Sequence, residues 1–201
     1  MPILGNATVV AAEVKRSASN ALRVQLTTAD GTQLAQAQQK GGAAVLLGFK
    51  NGGKSAYTLS CANGEQLGLA VAGTTTVSNG GAPVGRIVPA DGAARLESGT
   101  GSVLAVLRPH SGTKADSAWH HQILSPSGHE LGVLTLMTTH FGWTDVQTEA
   151  TQLLLNQNVG SLKTPSAGAM LRLSAPATSE LGDMLAAACV DFAVLPRGYV
   201  A

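Results

Sequence analysis

A short pattern recurs along the chain and constrains its fold more than any other feature. An apolar residue is followed five positions later by a glycine that comes after Asp, Asn or Ser, and three residues further on stands Leu, then Ala or Gly. Clear copies contain Gly31, Gly64 and Gly128, and a weaker copy contains Gly92. Apolar residues alternate with others on both sides, and Asp-Gly or Asn-Gly supplies the positive φ of a tight turn. Each copy therefore predicts a β-hairpin.

Alternation outside the repeats predicts further strands. These lie near residues 8–14, 43–49, 103–107 and 170–173. Gly-, Ser- and Thr-rich stretches at 74–83 and 109–116 predict loops. The stretch 145–157 is ambiguous between strand and short helix, and its Thr and Val content favours strand.

The run from Met184 to Leu195 predicts the single helix of the chain. Thr178 or Ser179 can cap its N-terminus, and Pro196 ends it. The run is apolar on every side, so the helix is expected to be buried all round. One buried helix among many hairpins predicts a sheet that wraps around it, which also removes exposed strand edges. The predicted fold is mainly β: a closed antiparallel β-barrel around one C-terminal helix at about 178–195, in a single domain of residues 1–201.

Asp191 interrupts this apolar run. A carboxylate inside a buried helix must find a partner or become neutral. One interpretation is an ion pair or hydrogen bonds to the barrel backbone. The other is a calcium or lipid-headgroup site at the barrel mouth.

Composition excludes several function classes. Charged residues make up 12% of the chain, the net charge is +1, and aromatic residues make up 3%. There is no global positive field and no stacking platform for nucleic acid, so nucleic-acid binding is not predicted. A weakly charged surface repels its neighbours weakly, which fits either self-association or a weakly charged monomer. The N-terminus lacks the pattern of a secretory signal, and the longest apolar run is too short to cross a membrane, so a cytoplasmic location is predicted.

The helix and the hairpins resemble a known superfamily. Ala188-Cys189 followed by Val190-Asp191-Phe192 resembles the C-terminal helix of phospholipid scramblases. The hairpin repeat is similar to that of tubby C-terminal domains and plant LURP-one-related proteins. The resemblance implies a closed barrel threaded by its C-terminal helix and a role in docking on anionic lipid, a phosphoinositide or a protein partner.

The resemblance carries over few site residues. Tubby domains bind phosphoinositides through basic residues, and Lys50 and Lys54 are the candidates here. Scramblases have a carboxylate-rich calcium segment before the helix, whereas residues 173–183 contain only Glu180 and Asp183. Calcium takes six to eight oxygen ligands, so no calcium site is predicted. The lipidated cysteine cluster of scramblases is absent.

The segment from Gly48 to Ser55 matches the phosphate-binding P-loop pattern, with Lys54 as its lysine. That loop requires a following helix, but residues after Ser55 alternate toward the Asn63-Gly64 turn and predict a strand. Nucleotide binding is therefore an alternative, and a Gly-rich hairpin connection is the favoured interpretation.

Other chemistry is not indicated by any pattern. His120 and His121 are adjacent and would point to opposite faces of a strand, and no metal-ligand spacing is present. Cys189 lies in the apolar run and is expected to be a core residue. The chain is predicted to be a non-catalytic binding module without cofactor or metal, with a structural homo-oligomer as the second hypothesis.

Overall fold

The structure is a computed structural model that describes residues 3–16, 22–40, 55–90, 93–109, 120–138 and 167–194. Within these ranges it contains twelve strands and one helix. The strands are β1 (Val9–Arg16), β2 (Leu22–Thr28), β3 (Gln33–Lys40), β4 (Ser55–Cys61), β5 (Gln66–Val71), β6 (Thr75–Asn79), β7 (Ala82–Ala90), β8 (Ala93–Ser98), β9 (Val103–Pro109), β10 (His120–Leu124), β11 (Glu130–Thr138) and β12 (Ala167–Leu173). The helix is α1 (Ser179–Val194).

The twelve strands form one closed barrel in which every neighbouring pair is antiparallel. Each strand pairs with the strands before and after it in the chain, and β1 pairs with β12 to close the ring. Closure leaves these strands without an open edge. The structure thus confirms the predicted closed antiparallel β-barrel of hairpins with one C-terminal helix.

The repeat forms a single type of turn. Gly31, Gly64 and Gly128 have φ values of 86°, 87° and 87°, in the left-handed region that favours glycine. Each glycine N–H donates to the carbonyl three residues earlier: Thr28, Cys61 and Ser125. A fourth copy has Gly101 at φ 89° bonded to Ser98. This copy departs from the repeat pattern because Thr precedes its glycine, although the spacing to Leu104-Ala105 is the same.

The predictions outside the clear repeats have mixed outcomes. The strands predicted near 8–14, 103–107 and 170–173 are confirmed as β1, β9 and β12. The weaker copy is a hairpin, β7–β8, whose turn lies outside the described residues, as do 43–49 and 145–157. The loop predicted at 74–83 is wrong, because Thr75 and Val77 alternate inward in β6 and a two-residue Gly80-Gly81 turn leads into β7.

The helix fills the barrel. Residues Met184 to Phe192 are all at most 1% exposed, so the helix has no solvent-facing side over this stretch. It contacts β11, β12, β1 and β2 on one wall and β6, β7 and β8 on another. Three consecutive alanines, Ala186 to Ala188, are fully buried, and such small side chains let the helix lie close to the strands around it. The expected buried helix is confirmed, at 179–194.

The two ends of the barrel differ. At one end, the turn end, strands are joined by connections of two to five residues: 29–32, 62–65, 80–81, 99–102 and 125–129. Residues 3–8 and the connection from β12 into α1 also lie at this end. At the opposite end, the loop end, the strand termini border the connections 17–21, 41–54, 72–74, 91–92, 110–119 and 139–166. The helix enters at the turn end and runs toward the loop end.

Candidate functional site

Asp191 lies inside the barrel, near the loop end of the helix, and is fully buried. Its Oδ1 accepts a hydrogen bond from the Thr75 hydroxyl at 2.6 Å, and Thr75 is fully buried as well. The partner lies on β6, so the bond ties the helix to the wall. One of the two interpretations of Asp191 was an ion pair or hydrogen bonds to the barrel backbone, whereas this bond comes from a barrel side chain. Thr75 itself was missed, because its segment was predicted to be a loop.

Replacing Thr75 by valine should lower the free energy of unfolding by about 2 kcal/mol, since it removes the donor to a buried carboxylate while keeping the side-chain size. Thr76→Val is the matched control: Thr76 is exposed on the same strand and should change stability little. Urea denaturation measures both. Equal unfolding midpoints for wild type and Thr75→Val would contradict a structural role of the Thr75–Asp191 bond.

His120 and His121 point to opposite faces of β10, as expected for neighbours on a strand. The His120 ring bonds the Thr135 hydroxyl at 3.0 Å, whereas the His121 ring is fully buried and meets the Phe192 ring edge-on, with centroids 5.1 Å apart. Burial, and more weakly the charge of His120, lower the pKa of His121 to about 4. His121 is therefore a neutral core side chain that contacts the helix.

A cluster of basic side chains lies on the outer surface of β1–β3, toward the loop end. Lys15 and Arg23 stand directly opposite each other in the β1–β2 register. Arg23 is opposite Gln38 on β3, and Lys40 lies two residues after Gln38 on the same face of that strand. Lys40 is exposed, as are Lys15 and Arg23. We call Lys15, Arg23 and Lys40 the basic patch. Glu13 is its acidic neighbour, with a carboxylate 2.9 Å from the Lys15 ammonium.

The residues predicted to bind a ligand fall next to this patch in the sequence. Lys50 and Lys54 belong to the connection 41–54 that follows Lys40, and both lie outside the described residues. The strand β4 begins at Ser55, the last residue of the P-loop pattern. A phosphate-binding loop of this kind needs a helix at that point, so the structure favours the hairpin interpretation of this segment.

The two carboxylates in the first turns of α1, Glu180 and Asp183, differ in their contacts. The Asp183 carboxylate accepts a hydrogen bond from the Ile3 backbone N–H at 2.9 Å, which ties the N-terminal segment to the helix. Glu180 is exposed. Burial is the main cause that raises the pKa of Asp183, and the nearby Glu65 contributes.

Both cysteines are free thiols in the interior. Burial raises the pKa of Cys61 to about 11 and that of Cys189 to about 12. Because the thiolate is the reactive form, neither side chain is poised as a nucleophile near neutral pH. Cys189 is the core residue that its apolar surroundings predicted.

Among the described residues, no three His, Cys, Asp or Glu side chains lie where they could share a metal ion. In the same part of the chain, no helix is both long and apolar enough to cross a membrane. No protein-family model, curated protein or solved structure matches the chain. The likeness to tubby and scramblase domains therefore stays a prediction from the residues quoted for it.

Proposed function

We propose that this protein is a non-catalytic module that docks on an anionic membrane surface through the basic patch. The observation that carries the proposal is the placement of Lys15 directly opposite Arg23, with Lys40 beside them on the same outer face.

This arrangement is unfavourable for the isolated barrel. Like charges directly opposite each other in a sheet destabilise it, and an exposed pair such as Lys15–Glu13 offsets little. An anionic surface attracts the same three charges, because each basic side chain near it contributes about 1 kcal/mol of binding free energy. The fold does not need three cations at these positions, whereas a lipid surface would use them.

The charges of the barrel are also distributed unevenly. Five described acidic residues lie at the turn end, Asp30, Glu65, Glu130, Glu180 and Asp183, whereas the basic patch, with Glu13 beside it, lies toward the loop end. In the proposal the side of the loop end that carries the basic patch faces the membrane, and the acidic turn end faces away. The cytoplasmic leaflet carries most anionic lipid, so a cytoplasmic location is part of the proposal. Lys50 and Lys54 would extend the contact, since their connection starts at Lys40.

Vesicle co-sedimentation tests this proposal. Pure protein is mixed with vesicles of phosphatidylcholine alone, with added phosphatidylserine, or with added phosphatidylinositol bisphosphate, with and without calcium, at low and physiological salt. We expect binding to anionic vesicles that persists at physiological salt. Replacing Lys15, Arg23 and Lys40 together by glutamine should weaken it about a hundredfold, and each single replacement about fivefold.

Arg108→Gln is the matched control. Arg108 is exposed near the same end of the barrel but on β9, across the ring from β1–β3, so its loss should change vesicle binding far less. Equal weakening by Arg108→Gln and Arg23→Gln would mean a general charge effect and would contradict a defined docking face. Absence of binding to every vesicle would end the membrane proposal in favour of a protein partner or a homo-oligomer.

A further inference from the structure

An open groove lies at the turn end of the barrel. It has a volume of about 590 Å³ and runs between residues 3–9 and the turns that join β2 to β3 and β4 to β5. That volume is within the range of ligand sites in proteins. Its surface is largely apolar and includes Ile3, Leu4, Ala7, Leu34, Cys61 and Ala62.

One carboxylate lines this apolar surface and a second lies beside it. Asp30 lines the groove and is exposed, and its carboxylate accepts hydrogen bonds from the Thr28 hydroxyl and, at 3.2 Å, from the Thr32 backbone N–H. These bonds lower the pKa of Asp30, so the group is ionised at neutral pH. Asn63, another lining residue, donates to the Glu65 carboxylate at 3.2 Å.

A third carboxylate, that of Asp183, lies behind the groove, where it holds the backbone of Ile3. Its charge contributes to the raised pKa of Cys61, and the charge of Glu65 contributes to the raised pKa of Asp183. The basic side chain nearest to the groove in the described register is Arg172, which faces Val9 across the β1–β12 pair. The groove therefore combines a largely apolar surface with one lining carboxylate, Asp30, and with Glu65 beside it, and no Lys or Arg is among the described residues that line it.

We propose that this groove binds a short extended peptide in which an apolar side chain is flanked by lysine or arginine. The apolar side chain would pack against Ala7, Leu34 and Ala62, which are half-buried or exposed in the groove, and the cationic groups would meet Asp30 and Glu65. A peptide fits better than a compact small molecule, because the groove is open along its length between three chain segments rather than enclosed. Charge complementarity selects a basic partner.

The inference goes beyond membrane docking and does not depend on it. The basic patch and the groove lie at opposite ends of β1–β3, about 20 Å apart along strands of seven to eight residues. A protein bound to a membrane by its patch would still present the groove. The module could then hold a basic peptide at an anionic surface.

Fluorescence polarisation with three labelled peptides tests the inference: alternating leucine and lysine, alternating leucine and glutamate, and alternating serine and lysine. We expect the leucine–lysine peptide to bind more tightly than both others. Asp30→Asn should weaken that binding about threefold, since it removes one exposed charge but keeps an oxygen acceptor for Thr28 and Thr32. Ala62→Lys should weaken it by about tenfold or more, because it places a like charge in the groove.

Two variants serve as matched controls. Glu130→Gln removes an exposed carboxylate at another hairpin of the turn end, and Ala82→Lys adds a cation at an exposed alanine outside the groove. Neither should change peptide binding appreciably. Comparable affinity of the lysine and glutamate peptides, or equal effects of Ala62→Lys and Ala82→Lys, would overturn the inference.

A second copy of this chain is the alternative occupant of the groove. Light scattering during size-exclusion chromatography tests for it. A dimer that Asp30→Asn and Ala62→Lys dissociate would show that a second copy fills the groove, which would overturn the peptide proposal. Vesicle binding is measured on the same variants and should be unchanged, so failure of the peptide proposal is distinguishable from failure of membrane docking.

Discussion

Replacing Gly168 by alanine is expected to lower the free energy of unfolding by about 4 kcal/mol, among the largest effects of a single substitution. Gly168 is buried on β12 opposite Glu13 of β1, at the strand pair that closes the barrel. A Cβ at this position would collide with the backbone carbonyl oxygen of Ala12, and backbone cannot move aside as a flexible side chain can. The φ of 147° is also one that residues with a side chain rarely adopt.

Gly73→Ala provides the matched control for this substitution. A Cβ at Gly73 would meet nothing within 4 Å, and its φ lies outside the positive range. Alanine there should be neutral or slightly stabilising, because it reduces the freedom of the unfolded chain. Urea denaturation of the two variants gives the comparison. A Gly168→Ala protein as stable as Gly73→Ala would show that the β1–β12 closure is not as tight as described.

Acidification is expected to destabilise the protein through His121, by up to about 3 kcal/mol. The pKa of the buried ring is about 4, below the value of 6.5 that applies when the chain is unfolded. Between these two pH values the unfolded state binds a proton that the folded state does not. The contribution of His121 is therefore fully present above about pH 6.5, decreases as the pH falls, and levels off below about pH 4.

Asp183 acts in the opposite direction, so wild type alone does not isolate the effect of His121. Its raised pKa means that the folded state takes up that proton first, which adds stability as the pH falls. The measurement is the difference between wild type and His121→Leu, followed by urea denaturation from about pH 7 to about pH 4. His129→Gln, at an exposed turn, should retain the wild-type pH dependence. If His121→Leu retains it as well, another group causes the acid sensitivity.

Much of the architecture follows from short stretches of sequence. The turn glycines Gly31, Gly64 and Gly128 adopt the left-handed conformation that their Asp-Gly, Asn-Gly and Ser-Gly settings favour, and the flanking residues alternate as strands do. The all-apolar helix could be buried on every side only if the hairpins surrounded it. These properties depend on a residue and its near neighbours, which is why they can be predicted before any contact is known.

The sequence predictions that the structure corrects also have local causes. The turn at Gly101 was passed over because Thr100 precedes the glycine, yet the backbone conformation is that of the other copies. The Gly-, Ser- and Thr-rich composition of 74–83 predicts a loop, although β6 needs only a five-residue alternation and a Gly-Gly turn. Composition describes the average of a segment, whereas the strand is determined by which side chains face the core.

Which residues meet was decided by the tertiary structure. Thr75 and Asp191 are separated by 116 positions and form one buried hydrogen bond, and Lys15 faces Arg23 because the β1–β2 register places them opposite each other. The groove at the turn end joins three separate chain segments in the same way. Alternation determines the face of the sheet to which a side chain points, but the residue that it faces across the sheet depends on the strand register. Closure of the barrel and packing of the helix inside it set that register throughout the barrel. The sequence by itself thus determined a barrel around a helix, and only the assembled barrel determined where its charges, its buried polar pair and its groove lie.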